Sequence, residues 1–131
     1  MSNLVSINTN YNTQVQVAEI KLKNIQNIIE SASKCTHIQE IILFGSALEE
    51  RCTDESDIDI VIISNVARSR LYRLKTYAEF LSSLHQDDDY IQQYDVICVN
   101  GRDQLTKNMD KVQLYDDVIK YGQTIYRREA A

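Results

Sequence analysis

Residues 38–63 read IQEIILFGSALEERCTDESDIDIVII and contain two apolar, β-branched runs separated by about a dozen mostly polar residues. The first run, Ile38–Phe44, ends at Gly45, and the second covers residues 57–63. Short apolar runs of this kind predict strands with both faces covered. Residues 46–51 are good helix formers with room for a turn or two. This stretch therefore predicts a strand, a short helix, a loop and a second strand.

The flanking sequence extends this pattern into an α/β (α+β) domain. Apolar residues recur three or four apart in residues 13–34 and again around 71–84, which predicts two amphipathic helices. A third apolar run, 93–99, stops at the turn pair Asn100-Gly101. The order predicts one domain over residues 13–127, with a mixed sheet of three to four strands flanked by helices.

The remaining segments are assigned as follows. A polar run at 86–89 closes the second helix, residues 103–120 are helical, Gly122 is placed as a helix C-cap, and 123–127 form a final strand. Residues 1–12 show no sustained period and are expected to be a flexible N-terminal tail, with a weak edge strand as the alternative.

Composition excludes several classes of protein. The 131 residues carry a net charge of -5, with three glycines and no proline, so collagen-like, linker-rich and general nucleic-acid-coating proteins are excluded. The cysteines Cys35, Cys52 and Cys98 form no C-x-x-C pair and are expected to be small buried side chains in a reducing compartment. No signal segment or membrane span is visible, so we expect a cytoplasmic protein.

Three carboxylates stand beside buried strands. Asp57 and Asp59 lie two residues apart, so both side chains project from the same face while Ile58 enters the core. Asp95 has a similar setting in the third run, and if the two strands are neighbours the three carboxylates converge. Two carboxylates on one face repel each other, and a hard divalent cation such as Mg²⁺ would offset that repulsion. The alternative is a solvated strand end, with Asp57 as an N-cap.

Gly45 and Ser46 follow the first strand directly. Glycine lets the backbone approach a ligand closely, Ser46 supplies a hydroxyl, and the start of a helix offers free N–H groups. This combination predicts a phosphate site, although Ser46 could equally be a plain N-cap. Phosphate binding on one side and carboxylate-held magnesium on the other is the arrangement for nucleotidyl transfer.

The pattern Phe44-Gly45-Ser46, ten residues, then Asp57-Ile58-Asp59 resembles the signature of the polymerase-β-like nucleotidyltransferases, in particular the minimal nucleotidyltransferases of HEPN/MNT toxin–antitoxin systems. The resemblance implies that Asp57, Asp59 and Asp95 bind two Mg²⁺ ions and form the catalytic centre. It also implies that Gly45 and Ser46 bind the phosphates of ATP.

One position departs from the family pattern. Relatives commonly carry Arg-Gly four and five residues after the motif glycine, where this chain has Glu49 and Glu50, and Arg51 is the nearby cation expected to bind the nucleotide instead.

The resemblance implies an activity and a partner. The chain would transfer AMP from ATP to a hydroxyl, a tyrosine of a helical HEPN-type ribonuclease toxin encoded nearby, and would thereby act as an antitoxin. The short chain leaves no room for an acceptor domain, so assembly with the partner, or with a second copy, is expected. Two alternatives stay open: an antitoxin or subunit of the same fold that neutralises by binding with weak or no catalysis, and a small-molecule (aminoglycoside-like) nucleotidyltransferase.

Overall fold

The computed structural model describes residues 2–85, 91–104, 118 and 120–128, and these ranges contain one mixed main sheet and a short hairpin. The strands are β1 (Leu4–Asn8), β2 (Gln14–Ala18), β3 (Ile38–Phe44), β4 (Ile58–Ser64), β5 (Tyr94–Asn100) and β6 (Gln123–Arg127). The main sheet has the order β5-β4-β3-β6, in which β3 is antiparallel to β4 and β6, and β4 is parallel to β5. The three strands predicted from apolar runs and the final strand predicted at 123–127 are confirmed to within one residue, and the mixed sheet confirms the fold class.

Helices pack on one face of the main sheet. Three α-helices lie wholly within the described ranges, namely α1 (Leu22–Ser31), α2 (Arg68–Leu71) and α3 (Lys75–Ser83). Ile25 and Ile28 of α1 and Phe80 of α3 are fully buried in the core that covers this face. A second, smaller core on the other face joins side chains of β3, β4 and β5 with Val118. Both faces are therefore covered, as the apolar runs predict.

Residues 2–34 differ from the sequence prediction in two places, the long helix and the flexible tail. Residues 13–34 do not form one helix, because Gln14–Ala18 is strand β2 and α1 begins only at Leu22. Of the two interpretations of residues 1–12, the flexible tail is wrong from Leu4 to Asn8 and the strand alternative is confirmed there, because β1 pairs antiparallel with β2. Val15 and Val17 are buried while Gln14 and Gln16 are exposed, which is the two-residue alternation of a strand. Val15 and Ala18 fit a helical stripe equally well, so only the pairing with β1 decides between the two.

The β1–β2 hairpin is attached at both of its ends. Near its turn, the Tyr11 hydroxyl donates to the Thr124 carbonyl at 2.9 Å, and the Asn10 side chain makes two hydrogen bonds to the backbone of Arg127. At the other end, Ser2 N–H donates to the Glu50 carbonyl at 2.7 Å. The hairpin therefore links the β6 edge of the sheet to the segment after β3.

Some expectations fall outside the described residues, namely the polar run at 86–89 and most of the helix expected over 103–120. At the end of that helix, Gly122 N–H donates to the Val118 carbonyl at 2.9 Å, the bond expected at a helix C-terminus. The helix expected around 71–84 is confirmed as α3, preceded by the short α2 and interrupted at Leu74, whose backbone is extended. Cys35, Cys52 and Cys98 are free and buried, as predicted.

Candidate active site

Strand register brings the carboxylates predicted from the sequence to one edge of the sheet. Asp59 on β4 lies opposite Asp95 on the parallel strand β5, and opposite Phe44 on the antiparallel strand β3. Asp57 immediately precedes β4, and Ile58 is fully buried between the two acids of the motif. The N-terminal ends of β4 and β5 therefore meet the C-terminal end of β3, which confirms that the two acidic strands are neighbours.

The three carboxylates differ in environment. Asp59 is half-buried, whereas Asp57 and Asp95 are exposed. Burial, and then the negative charges of Asp95 and Asp57, raise the pKa of Asp59 from 3.8 to about 6, and a hydrogen bond with Asp95 acts in the same direction. An ionised Asp59 is thus disfavoured by its surroundings, which is the electrostatic condition that a bound cation would relieve.

Gly45 has a backbone that only glycine adopts easily, with φ +77°. A Cβ atom at this position would lie 2.4 Å from Oδ2 of Asp59. The backbone of the turn after β3 therefore packs directly on the central carboxylate. This close packing explains why position 45 is a glycine, and the predicted approach of its backbone to a ligand stays a prediction.

The short helix expected over 46–51 is a single 3₁₀ turn, Gly45–Leu48. Its N-cap position is Phe44, so Ser46 is the second residue of the turn and the plain N-cap interpretation of Ser46 is wrong. Ser46 is half-buried beside Gly45, and its carbonyl accepts a hydrogen bond from Glu49 N–H at 2.9 Å. Phosphate binding by Gly45 and Ser46 stays a prediction.

Arg51 is exposed and its guanidinium contacts the Glu49 carboxylate. The cation expected to replace the family arginine thus pairs with one of the two acids that stand in place of the Arg-Gly pair. A role of Arg51 in binding the nucleotide stays a prediction, and it would require that this exposed ion pair open.

The donor set at this edge fits a hard divalent cation, since all three side chains offer carboxylate oxygens. Asp59 and Asp95 lie directly opposite each other on β4 and β5, and the charge of Asp95 is close enough to raise the pKa of Asp59. Among the described residues, no three His, Cys, Asp or Glu side chains are spaced so that they could hold a metal ion together. The support for a cation site therefore consists of the Asp59–Asp95 pair and of the preference of hard cations for carboxylate oxygens. A complete site of three carboxylates with two Mg²⁺ ions stays a prediction.

Two residues near the cluster have no recognisable signal in the sequence. Lys21 is buried and donates to the carbonyl of Asp54, three residues before Asp57, and to the side chain of Gln92, two residues before β5. Lysine and glutamine are polar, so the hydrophobic pattern of the sequence predicts that both side chains are exposed to solvent. Their role depends on contacts between segments 33 and 71 residues apart in the chain.

Comparison with known proteins agrees with this geometry. The family described as "Polymerase beta, Nucleotidyltransferase" matches residues 26–130, which include every strand of the main sheet and all three carboxylates. None of the curated proteins compared with the chain matches it. Within the described ranges, no helix has the length and apolar character needed to cross a bilayer. A family match over most of the chain, together with the strand register at the acidic edge, shows that this protein belongs to the polymerase beta nucleotidyltransferase family.

Proposed function

We propose that this nucleotidyltransferase moves AMP from ATP to a hydroxyl group, specifically a tyrosine of a helical HEPN-type toxin, and that it acts as the antitoxin of that partner. The observation that carries the catalytic part is the register of Asp59 with Asp95, beside the Gly45 turn. The choice of AMP, of tyrosine and of the partner is supported by the resemblance of the motif to the minimal nucleotidyltransferases.

The roles proposed for the individual residues come from the resemblance of the motif, and the position of each residue supports them. Gly45 and Ser46 bind the terminal phosphates through the backbone and hydroxyl groups of the turn, next to the carboxylate of Asp59. Asp57, Asp59 and Asp95 would hold Mg²⁺. When bound, the metal neutralises the carboxylates and stabilises charge on the attacking and leaving oxygens.

The transfer step is an in-line substitution at the α-phosphorus. The acceptor hydroxyl oxygen forms a bond to that phosphorus, the bond to the bridging oxygen of the β-phosphate breaks, and pyrophosphate leaves. In this proposal Asp95, which is exposed at the edge of the sheet, accepts the hydroxyl proton. Asp59 is the more buried partner and suits a role in holding the cation.

The test is transfer of label from α-labelled ATP to a helical protein encoded beside this chain, in the presence of Mg²⁺. We expect label on the partner with the native chain and none with Asp57→Asn or Asp59→Asn. Glu30→Gln is the matched control, because Glu30 is an exposed acid in the last turn of α1 and not part of the acidic motif. Mutating the labelled tyrosine of the partner to phenylalanine should abolish labelling. Label that persists in both Asp variants would refute the catalytic assignment.

The contact between Arg51 and Glu49 favours a second candidate, a non-catalytic antitoxin of the same fold. The guanidinium that was expected to bind the nucleotide phosphates is instead paired with a carboxylate. Under that hypothesis the native chain and the Asp57→Asn variant neutralise the toxin equally, and no label is transferred. Transfer of label to an aminoglycoside instead of a protein would favour the small-molecule alternative.

A further inference from the structure

Lys21 is an unusual residue for the interior of a small protein. It ends the 3₁₀ turn Glu19–Lys21 between β2 and α1, and only 2% of it is exposed. Burying an ammonium group is costly unless polar partners replace its water. Within the described residues, Lys21 forms no ion pair, so its partners are neutral groups.

Those partners lie on both sides of the acidic edge. The Lys21 ammonium donates to the carbonyl of Asp54 at 3.0 Å and to Oε1 of Gln92 at 2.5 Å. Asp54 belongs to the loop that leads into β4, and Gln92 precedes β5. Lys21 therefore joins the entrances of the two parallel strands that carry the carboxylates.

Gln92 continues this connection to the residues that flank Asp57. Its Nε2 donates to the Ser56 carbonyl at 3.1 Å and to the Gln93 carbonyl at 2.7 Å. The Gln93 carbonyl also accepts a hydrogen bond from Ile58 N–H at 3.0 Å. The backbone is thus held immediately before and immediately after Asp57.

Asp57 itself is exposed, so side-chain packing does not fix its position. We propose that Lys21 is a positioning residue: with Gln92 it fixes the backbone around Asp57 and so sets where this carboxylate stands relative to Asp59 and Asp95. The inference rests on the proposed function in so far as Asp57 is taken as a metal ligand. Residues that orient ligands in this way commonly change metal affinity by about 10- to 100-fold when they are removed.

The test compares Lys21→Met, which keeps chain length but removes the ammonium, with Lys23→Met, a substitution at an exposed lysine two residues away. Two quantities are measured on folded protein: the affinity for Mn²⁺, followed by its magnetic resonance signal, and amide hydrogen exchange. For Lys21→Met we expect about tenfold weaker Mn²⁺ binding. We also expect faster exchange at Ser56 and Ile58 but not at Ile41 in the middle of the sheet. Lys23→Met should change neither.

Several results would overturn the inference. One is a folded Lys21→Met variant with native Mn²⁺ affinity and native exchange at Ser56 and Ile58. Another is exchange that rises uniformly through the sheet with unchanged Mn²⁺ affinity, which would reduce Lys21 to a general stabilising role. If the native chain binds no Mn²⁺, the proposed function fails on its own, and the exchange rates at Ser56 and Ile58 still decide whether Lys21 holds the loop. If Lys21→Met does not fold, Gln92→Ala is expected to shift both quantities in the same direction, and no shift would refute the proposal.

Discussion

Gly45 and Asp59 are in close contact at the acidic edge, because the carboxylate of Asp59 lies where any other residue at position 45 would place its Cβ atom. The overlap of a Cβ at position 45 with Oδ2 of Asp59 adds to the strain of a positive φ. Gly101 allows the strain of a positive φ to be measured without a steric overlap. Its φ is +84°, yet a Cβ there would meet nothing within 4 Å.

We predict that Gly101→Ala costs about 1 kcal/mol of unfolding free energy, the strain alone, while Gly45→Ala costs roughly 2 kcal/mol or more because Asp59 must also move. Urea denaturation of both variants measures the difference. Equal costs would mean that Asp59 yields without resistance. Gly45→Ala should also weaken ATP binding, whereas Gly101→Ala should not.

For single residues, the sequence predicted which side chains form the acidic motif, but it did not predict how deeply each of them is buried. The two-residue spacing of Asp57 and Asp59 on a strand predicts correctly that Ile58 enters the core between them. It does not predict that Asp59 is half-buried while Asp57 is exposed, since that depends on how neighbouring strands and the Gly45 turn pack. The raised pKa of Asp59 has the same non-local origin.

At the scale of elements, the β1–β2 hairpin shows where local pattern is insufficient. Both a helical and a strand period fit the apolar residues of 13–18. The choice between them depends on pairing with β1, a segment for which the sequence leaves a flexible tail and a weak edge strand both open. The hairpin begins before the residues matched by the family. It nevertheless contacts β6 through Tyr11 and Asn10, and the segment after β3 through Ser2.

Asn10 tests how far the hairpin stabilises the sheet. Its side-chain amide donates to the Arg127 carbonyl at 2.7 Å, and its oxygen accepts from Arg127 N–H at 2.8 Å. We predict that Asn10→Ala lowers the unfolding free energy by about 1 kcal/mol, because two hydrogen bonds to β6 are lost. Asn8→Ala is the control. It removes one exposed contact with Gln14 inside the hairpin, so a loss of less than about 0.5 kcal/mol is expected. Equal losses would show that the hairpin does not support β6.

At the scale of the whole molecule, strand order creates the acidic edge. The apolar runs predict three strands of the sheet, and the segment after Gly122 is predicted as the fourth. No local signal shows that β3 lies between β4 and β6, or that β4 and β5 are parallel. Those pairings join segments far apart in the chain and are determined by the packing of both faces. Because β3 runs opposite to β4 and β5, the turn at Gly45 and the acids Asp59 and Asp95 arrive at the same place.

This convergence makes stability depend on pH. The pKa of Asp59 is raised in the folded state, so the folded protein holds its proton more tightly than the unfolded chain. Well below pH 4, Asp59 is protonated in both states and its raised pKa does not lower the unfolding free energy. Between pH 4 and 6, Asp59 is ionised in the unfolded chain but still protonated in the folded protein, so the unfolding free energy falls. Above about pH 6 it is ionised in both states, and the unfolding free energy falls no further. Asp59→Asn removes this loss, and after allowance for solvent screening we expect the variant to be about 1 kcal/mol more stable at pH 7.5 and unchanged near pH 4.

If these carboxylates bind Mg²⁺, the cation should restore the unfolding free energy that is lost when Asp59 ionises. A cation that binds the folded state raises the melting temperature, and it binds more tightly once Asp59 is ionised. Adding Mg²⁺ to the native chain is therefore expected to raise Tm by several degrees at pH 7.5 and by little or nothing near pH 4.5, where Asp59 holds a proton. Asp59→Asn should start from a higher Tm without metal and gain little from Mg²⁺ at either pH. Glu30→Gln should behave like the native chain. An Mg²⁺ effect of equal size in the native chain and in Asp59→Asn would place the cation elsewhere on the protein.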